Sequence, residues 1–236
     1  MIHGTHNAEA DDRNENVWIS INGKFFQRSE AKISVFDSGY LVGDGVWEGI
    51  RLHHGKLVFI GDHLKRLWTA AKATGIKLPF TKEELILSIK STLSKNEMHD
   101  GVHVRIMVTR GIKKTPSQDP RLTISGPNVV IIAEYKKASN ETKSKGITLF
   151  TSSFRRGSPD YLDPKLNCHS KLHEVQALIQ AIEAGADEAL MLDVNGFVST
   201  CNATNLFIVK DGEVWTTTAA YCMNGITRQK VNEICA

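Results

Sequence analysis

A short segment near the end of the chain, Asn224-Gly225-Ile226-Thr227-Arg228, has residue types that can hold a phosphate. Its glycine and hydroxyl stand directly before a predicted helix whose core face would be Val231 and Ile234. A helix N-terminus presents unpaired N–H groups and partial positive charge, so a phosphate fits there and Thr227 can donate one more hydrogen bond. The simpler interpretation makes Thr227 a helix cap and Gly225 a turn residue, and the segment alone leaves both interpretations open.

Three arginines stand at positions from which they could bind anions. Arg66 follows Leu64 by two residues, which places it about 200° round the predicted helix from the core stripe. By the two-residue period of a strand, Arg105 lies on the face opposite the apolar row of a predicted strand. Arg110 lies on the same face as that row, where the strand ends at Gly111. Arg105 or Arg110 could clamp a carboxylate with two parallel hydrogen bonds, and for each of the three arginines taken alone a solvated surface residue is the simpler interpretation.

Two histidines, His169 and His173, are spaced as metal ligands on one helical face would be. No third ligand is fixed near them by spacing, so we interpret them as capping and surface residues and predict no metal. The sequence also contains no Gly-x-Ser-x-Gly elbow, Walker loop or dinucleotide fingerprint.

The composition is that of an ordinary globular protein. Of the 236 residues, 41% are hydrophobic and 23% are charged, and the 29 basic and 26 acidic residues leave a net charge of +3. Because no block of like charges stands out, we predict no nucleic-acid partner. The four cysteines form no Cys-x-x-Cys pair, and no apolar run reaches the ~18 residues of a membrane span. These features predict a cytoplasmic protein with reduced thiols and no membrane partner.

Hydrophobic periodicity predicts an N-terminal domain of strands and two helices. Residues 1–16 are polar and lack a period, which predicts a flexible N-terminal arm, and residues 17–136 form the small domain. One helix carries Leu64, Leu67, Trp68 and Ala71 on its core face, and the next opens with a capping box at Thr81. The predicted strands are residues 17–21, 25–28, 32–36, 46–53, 56–60, 102–109 and 128–135.

The sequence pattern of the second half of the chain predicts a separate domain. Residues 137–145 are polar and are the predicted linker, and residues 146–236 form the predicted C-terminal domain. Its helix, from about residue 170 to 184, should bury its large apolar residues, and a last helix should begin near Thr227. The predicted strands are residues 147–154, 188–192, 197–199, 206–209 and 214–217, and the buried helix residues are Leu172, Val175, Leu178, Ile179 and Ile182.

Taken in chain order, the motifs resemble those of the class IV aminotransferases. That family includes branched-chain and D-amino-acid aminotransferases, R-selective amine transaminases and aminodeoxychorismate lyase. Several ordered motifs are far more specific than any one of them, and together they run from about Val17 to the end of the chain. The matching segments are residues 37–51, 63–67, 108–111, 185–189, 193–196, 204–212 and 225–228.

The resemblance implies a fold, a cofactor and roles for residues. It implies an α+β, two-domain fold with a small N-terminal α/β domain and a larger, β-barrel-like cofactor-binding domain. The chain stops before the family's last segment, so this domain is expected to be incomplete at its C-terminus. The implied cofactor is pyridoxal 5'-phosphate (PLP), the implied substrates are an amino acid and a 2-oxoacid, and the implied assembly is a homodimer. Arg66, Gly225, Ile226 and Thr227 would hold the phosphate, Thr200 would face the pyridine nitrogen, Arg105 or Arg110 would bind the substrate carboxylate, and Lys165 would carry the cofactor.

At two positions the chain departs from the family pattern. Counting without gaps places Asn167 or Leu166 where the family has the lysine that carries the cofactor. The nearest lysine is Lys165, and Lys171 lies further into the helix. Thr200 stands where the family has the glutamate that keeps the pyridine ring protonated, and a neutral partner there should weaken the electron sink.

These observations leave three functions open. The first is a PLP-dependent transaminase acting between a branched-chain or D-amino acid and a 2-oxoacid. The second is a member of the same fold without transamination, which binds a phosphorylated or carboxylated ligand or does PLP-independent chemistry, as Asn167 and Thr200 would suggest. The third is a PLP lyase of the aminodeoxychorismate type. Arginines of both the L- and the D-substrate patterns are present, so the sequence does not choose the stereochemistry.

Overall fold

The chain divides into two compact units. The computed structural model describes Gly4 and residues 10–137 and 139–236. The N-terminal unit consists of residues 10–137 together with residues 167–170, and the C-terminal unit contains residues 139–166 and 171–236. Residues 167–170, which the sequence assigns to the second domain, therefore belong to the first unit.

A six-stranded antiparallel sheet forms the centre of the N-terminal unit. Its strand order is β2-β1-β6-β5-β3-β4, so the two long strands β3 and β5 lie side by side. The strands are β1 (Trp18–Ile21), β2 (Lys24–Gln27), β3 (Gly45–His53), β4 (Lys56–Leu57), β5 (Val102–Thr109) and β6 (Asn128–Tyr135).

Alternation along β3 and β5 builds the core of this unit. Val104 and Ile106 of β5 are fully buried, and the residues between them on the strand are only half-buried, as the two-residue period predicts. On β3, Ile50 pairs with Val104 and Glu48 pairs with Ile106. The buried row of β3 therefore contains Glu48, a carboxylate among apolar side chains.

Both predicted helices of this unit are present. Helix α2 (Ile60–Ala73) buries Leu64, Leu67, Ala70 and Ala71. Helix α3 (Lys82–Lys95) has the predicted capping box, in which Thr81 and Glu84 each accept the other's backbone N–H.

The predicted strand at residues 32–36 is wrong. These residues pair with no strand, and Ile33, Val35 and Phe36 are exposed. A short helix follows instead, α1 (Ser38–Val42), whose first turn is capped by the Asp37 carboxylate. A β-branched run is thus not enough to make a strand where a cap residue starts a helix directly after it.

Part of the predicted flexible arm, residues 1–16, lies outside the described residues. Within the described part, Asp12–Asn14 form a 3-10 turn. Asn14 exchanges two hydrogen bonds with the backbone of Tyr135, both of 2.8 Å, and the Arg13 guanidinium lies 3.5 Å from the Tyr135 ring centre. Residues 13 and 14 are therefore attached to the end of β6.

The C-terminal unit contains an open sheet and a separate hairpin. Strand β8 lies between β7, which is parallel to it, and β9, which is antiparallel, and β10 pairs only with β11. The α+β fold class is confirmed, but no closed barrel is formed by the described residues of this unit. Its elements are α4 (Asn140–Lys145), β7 (Leu149–Thr151), α5 (Leu172–Glu183), β8 (Glu188–Leu192), β9 (Val198–Cys201), β10 (Phe207–Lys210), β11 (Glu213–Thr216) and α6 (Ile226–Cys235).

The predicted core face of α5 is wrong. The helix buries Ala177 and Ala181, which pack with Ala189 and Met191 of β8. Small side chains allow the helix backbone to come close to the sheet, so the alanine face turns inward. The side chains of the predicted face that are exposed are Leu172, Val175, Ile179 and Ile182.

Across the described part of the chain, no helix has both the length and the hydrophobicity that a membrane span requires.

The predicted linker at 137–145 contains helix α4. Ser139 caps this helix, and an ion pair of 2.7 Å between Lys145 and Glu141 supports it.

Candidate functional site

In the N-terminal unit, Arg66 is bound by a buried carboxylate. Glu48 of β3 has no exposed side-chain surface, and its two oxygens accept from Arg66 Nε at 2.6 Å and Arg66 Nη2 at 2.7 Å. The ring nitrogen Nδ1 of His63, one turn earlier on α2, lies 2.7 Å from Oε2 of the same carboxylate. One residue of β3 thus fixes two residues of α2 to the sheet, and one edge of the Arg66 guanidinium is occupied.

Arg105 is held by a ring rather than by a carboxylate. It faces opposite the apolar row of β5, as predicted, and its guanidinium carbon lies 4.2 Å from the centre of a Trp47 ring. Burial lowers the pKa of Arg105. In the part of the chain that the structure describes, Arg105 makes no ion pair, so its charge is available to an anion.

Arg110 already has protein partners. Its Nε and Nη2 donate to the two oxygens of Asp44 at 2.6 and 2.9 Å, and further bonds run to the backbone oxygens of Thr74 and Gly75. Four of the five N–H groups are used in these bonds. A substrate carboxylate would have to displace Asp44 to bind Arg110 with two parallel hydrogen bonds.

The segment in which the sequence pattern places the family's lysine, residues 167–169, pairs with β3 in the manner of a strand. The Asn167 carbonyl accepts from the Trp47 N–H at 2.9 Å, and the Asn167 side chain donates back to the Trp47 carbonyl at 2.8 Å. The His169 N–H donates to the Gly45 carbonyl, where any Cβ would lie 2.7 Å from the His169 ring. Asn167 is 2% exposed, and its Oδ1 has no hydrogen-bond partner among the described residues. A buried amide, held on both sides by the backbone of β3, therefore occupies position 167.

The two lysines closest to this position in the sequence lie in the C-terminal unit and differ in their surroundings. Lys165 is exposed on the loop before residue 167, and its backbone N–H donates to Asp163. Lys171 is half-buried at the start of α5, with its ammonium 3.5 Å from Glu174.

A buried charge cluster surrounds Glu174, and the sequence did not predict it. Arg156 Nη1 donates to Glu174 Oε1 at 2.7 Å, and His173 Nδ1 lies 2.9 Å from Oε2. Burial alone would raise the pKa of Glu174, but the contact with His173 and the charges of Lys171 and Arg156 outweigh burial and lower that pKa to about 2. The sequence contained one sign of this cluster, because Glu174 lies on the same helical face as Ala177 and Ala181.

The Glu174 cluster predicts a loss of stability in mild acid. The folded-state pKa of about 2 lies below the ordinary value of 4.5, so the stabilisation is complete above about pH 4.5 and is lost as the pH falls towards 2. We expect Glu174→Gln to lower the free energy of unfolding at neutral pH by about 3 kcal/mol and to flatten its decrease between about pH 5 and pH 2. Urea unfolding at several pH values measures both effects. Glu183→Gln, at the exposed end of the same helix, is the control and should retain the wild-type pH profile.

Thr200, for which the resemblance implies a place beside the pyridine ring, is buried. It lies on β9, is 6% exposed, and its hydroxyl donates to the Thr204 carbonyl at 2.6 Å. The hydroxyl hydrogen is therefore used within the protein, and the oxygen can only accept from another group.

The start of α6 is open to an anion. Gly225 is the N-cap and has no side-chain capping bond, so no side chain of the cap residue accepts from the first N–H groups of the helix. A Cβ at Gly225 would lie 2.4 Å from the Asn205 side-chain oxygen, which explains the glycine. Thr227 lies inside the first turn and is exposed. Thr227 is therefore not the cap that the simpler interpretation predicted.

The predicted pairing of His169 and His173 on one helical face does not form. Helix α5 begins at Leu172, so His169 precedes it and belongs to the N-terminal unit. The other predicted residues are also divided between the units. Arg66, Arg105 and Arg110 lie in the N-terminal unit, and Lys165, Thr200, Gly225, Ile226 and Thr227 lie in the C-terminal unit.

Comparison with known proteins gives the family. A model of the class IV amino-transferases matches residues 45–236. The branched-chain-amino-acid aminotransferase-like protein 2 of Arabidopsis thaliana is 41% identical over 218 residues, which are 92% of this chain but only 38% of that relative. The branched-chain-amino-acid aminotransferase of Pseudomonas aeruginosa is 30% identical and is covered to 74%, with 95% of this chain.

Solved structures agree with this assignment. The branched-chain aminotransferase of the thermophilic archaeon Thermoproteus uzoniensis, solved with norvaline, superposes with a TM-score of 0.82 at 26% identity over 93% of this chain and 74% of that one. A T.th. branched-chain amino acid aminotransferase complexed with N-(5'-phosphopyridoxyl)-L-glutamate superposes with a TM-score of 0.84 at 30% identity, over 93% and 72% of the two chains. The 4-amino-4-deoxychorismate lyase of Pseudomonas aeruginosa superposes with a TM-score of 0.74 at 26% identity, over 92% of this chain and 76% of that one. With the family's motifs in order along two units of the matching fold, this chain belongs to the class IV aminotransferases.

Proposed function

We propose that this chain acts as a PLP-dependent transaminase that moves an amino group between an amino acid and a 2-oxoacid. The observation that carries the proposal is the open start of α6, where Gly225 leaves the first N–H groups without a capping side chain. An aminotransferase family member with such a helix start has a place for the cofactor phosphate. The chain spans 38% of the length of the Arabidopsis relative, and the activity of a whole protein is part of the proposal.

The residues of the C-terminal unit fit the phosphate end of PLP. The Ile226 N–H and the exposed Thr227 hydroxyl would donate to phosphate oxygens, and the N-cap Gly225 supplies no side chain that competes for them. In the N-terminal unit, Arg66 is the proposed further phosphate contact, and Glu48 sets the orientation of its guanidinium. PLP supplies an electron sink for the negative charge that develops at the substrate Cα.

Lys165 is the proposed catalytic lysine. It is exposed, and it makes no ion pair among the residues that the structure describes. Its Nζ would hold the cofactor and move the proton of the substrate Cα. Thr200 would accept from the ring nitrogen through its oxygen, because its own hydrogen is donated to Thr204. A neutral acceptor stabilises a protonated ring less than a carboxylate does.

The substrate carboxylate is assigned to Arg105 rather than Arg110. Arg110 is already bound by Asp44 and by two backbone oxygens, whereas Arg105 is stacked on Trp47 without an ion pair in the described chain. Arg105 matches the arginine of the branched-chain pattern. We therefore propose a branched-chain type of amino acid as substrate, with the D-amino-acid type as the alternative, and a homodimeric, cytoplasmic enzyme.

A PLP titration tests the proposal. Adding PLP to the chain should produce a saturable visible absorbance band, and adding an amino acid and a 2-oxoacid should give turnover. We expect Thr227→Val to raise the dissociation constant for PLP about tenfold, because one hydrogen bond to a charged group is lost. Thr218→Val, at another exposed threonine of the same unit, should leave the affinity unchanged. The absence of a saturable band, or an equal effect of both variants, would contradict the phosphate assignment.

A second function is favoured by the buried Asn167. Its amide stands where the family has the cofactor-bearing lysine, and Lys171 is paired with Glu174. A class IV member without transamination would bind a phosphorylated or carboxylated ligand at the same residues, and would give no lysine-dependent absorbance band. A lyase of the aminodeoxychorismate type is separated from a transaminase by release of pyruvate without consumption of a 2-oxoacid.

A further inference from the structure

Two adjacent turns of the N-terminal unit bring two histidines and an aspartate together. His53 and His54 end the strand β3 and begin the turn to β4, and Asp100 lies in the loop between α3 and β5. One ligand atom from each of the three residues lies within 4.8 Å of the others, and all three side chains are exposed. None of them belongs to the residues assigned to PLP or substrate above.

The backbone explains why both imidazoles are on the same side. Successive side chains of a strand point to opposite faces, but His54 has a φ of 48° and leaves the strand in the left-handed region. The two rings therefore lie together, with their centres 4.1 Å apart. Gly55 follows with a φ of 72°, which completes the turn.

The carboxylate is fixed by the turn that carries the histidines. Asp100 Oδ1 accepts from the His54 N–H at 2.7 Å, and the Gly55 N–H donates to the His99 carbonyl at 3.1 Å. The Nδ1 atoms of His53 and His54 lie 3.4 and 3.8 Å from the carboxylate oxygens of Asp100. Two ligands of a tetrahedral zinc ion, each at about 2.0–2.1 Å, stand about 3.3–3.4 Å apart, so small side-chain rotations close the site.

We propose that His53, His54 and Asp100 form a zinc site in which solvent takes the fourth position. Two imidazoles and one carboxylate are ligands that zinc prefers, and three protein ligands leave one position open. The ion would join the β3–β4 turn to the α3–β5 loop and would stabilise the N-terminal unit, because it binds the folded arrangement only. The site is independent of the proposed transaminase activity.

Zinc binding by the full chain, prepared without a histidine tag and stripped with a chelator, tests the site. Competition with a chromophoric chelator should give one zinc ion per chain, and zinc should raise the melting temperature. Cobalt in place of zinc should show the strong visible bands of a four-coordinate ion. His54→Asn suits the left-handed position, and Asp100→Asn retains the acceptor for the His54 N–H. Each should weaken zinc binding at least about tenfold.

His99→Asn is the matched control, because His99 is exposed and adjacent to Asp100 but lies outside the cluster. It should retain the wild-type zinc affinity and the zinc-dependent rise in melting temperature. The proposal is overturned if the wild-type chain binds no zinc at millimolar concentration. It is also overturned if His54→Asn and Asp100→Asn bind zinc as the wild type does, or if His99→Asn loses as much affinity as they do.

Discussion

Glu48→Gln should lower the free energy of unfolding by about 3–5 kcal/mol, because it breaks a buried ion pair on one side only. The Glu48 side chain is fully buried, and both of its oxygens are used by Arg66 and His63. A glutamine retains the shape but has one acceptor oxygen and brings an N–H₂ group against the donors of Arg66. The guanidinium, whose side chain is only 18% exposed, then loses its carboxylate and is not rehydrated.

A glutamate on the same sheet provides the control for this prediction. Glu134 of β6 pairs with Arg28 at 3.6 Å, and both side chains are exposed at 40% or more. Glu134→Gln should cost less than about 1 kcal/mol, since water screens that pair. Urea unfolding of both variants measures the difference. If Glu48→Gln were no more destabilising than Glu134→Gln, the Glu48–Arg66 pair would not have the buried geometry described above.

Changing both partners separates the pair from the packing around it. In a cycle of Glu48→Gln, Arg66→Gln and the double variant, the double variant should be more stable than the sum of the single effects predicts, because no unpaired charge remains buried. The same variants bear on the proposed cofactor site. If Glu48 orients Arg66 for the phosphate, Glu48→Gln should weaken PLP binding as well as stability, whereas Glu134→Gln should leave PLP binding unchanged.

The elements that the sequence predicts well are those whose patterns are local. The alternation of Val102 to Val108 gives the buried row of β5, and the capping box at Thr81 gives the start of α3. The Asn22-Gly23 pair gives the hairpin between β1 and β2, because both residues take positive φ values. In each case the property that decides the structure is carried by residues close together in the chain.

The inward face of α5 could not be predicted in this way. Two stripes run along the helix, one of large apolar residues and one with Ala177 and Ala181, and hydrophobicity alone favours the first. The structure places the alanines on β8 because close approach of the helix to a short sheet needs small side chains. Which stripe faces inward depends on its partner, and the helix's own sequence does not contain that information.

The candidate site was only partly predictable for a similar reason. The arginines were found from their positions, but their partners come from distant parts of the chain, as Asp44 does for Arg110 and Glu48 for Arg66. One signal was present and not used: Glu48 falls in the inward row of β3 between Val46 and Ile50. A carboxylate at an inward position of a strand requires a cationic partner. The sequence indicates that such a partner is needed but does not identify the residue.

Lys165→Ala should abolish the covalent labelling of the chain by PLP and lower transamination by about a thousandfold or more, because no other group would carry the cofactor and move the proton. Lys165 is preferred to Lys171 on electrostatic grounds. The Lys171 ammonium lies 3.5 Å from the carboxylate of Glu174, and that ion pair would have to break before Lys171 could carry the cofactor. The Lys165 ammonium makes no ion pair with a carboxylate among the described residues.

Borohydride reduction of the chain mixed with PLP, followed by peptide mass mapping, locates the labelled lysine. We expect a pyridoxyl group on Lys165 in the wild type and none on the same peptide in Lys165→Ala. Lys171→Arg is the matched control, since an arginine retains the charge opposite Glu174 but cannot be labelled. It should keep both the label on Lys165 and the turnover.

A label that persists in Lys165→Ala and disappears in Lys171→Arg would assign the catalytic role to Lys171. A wild type without any labelled lysine would overturn the transaminase proposal, because the chain, with Asn167 at the expected lysine position, would then have no amine that binds PLP.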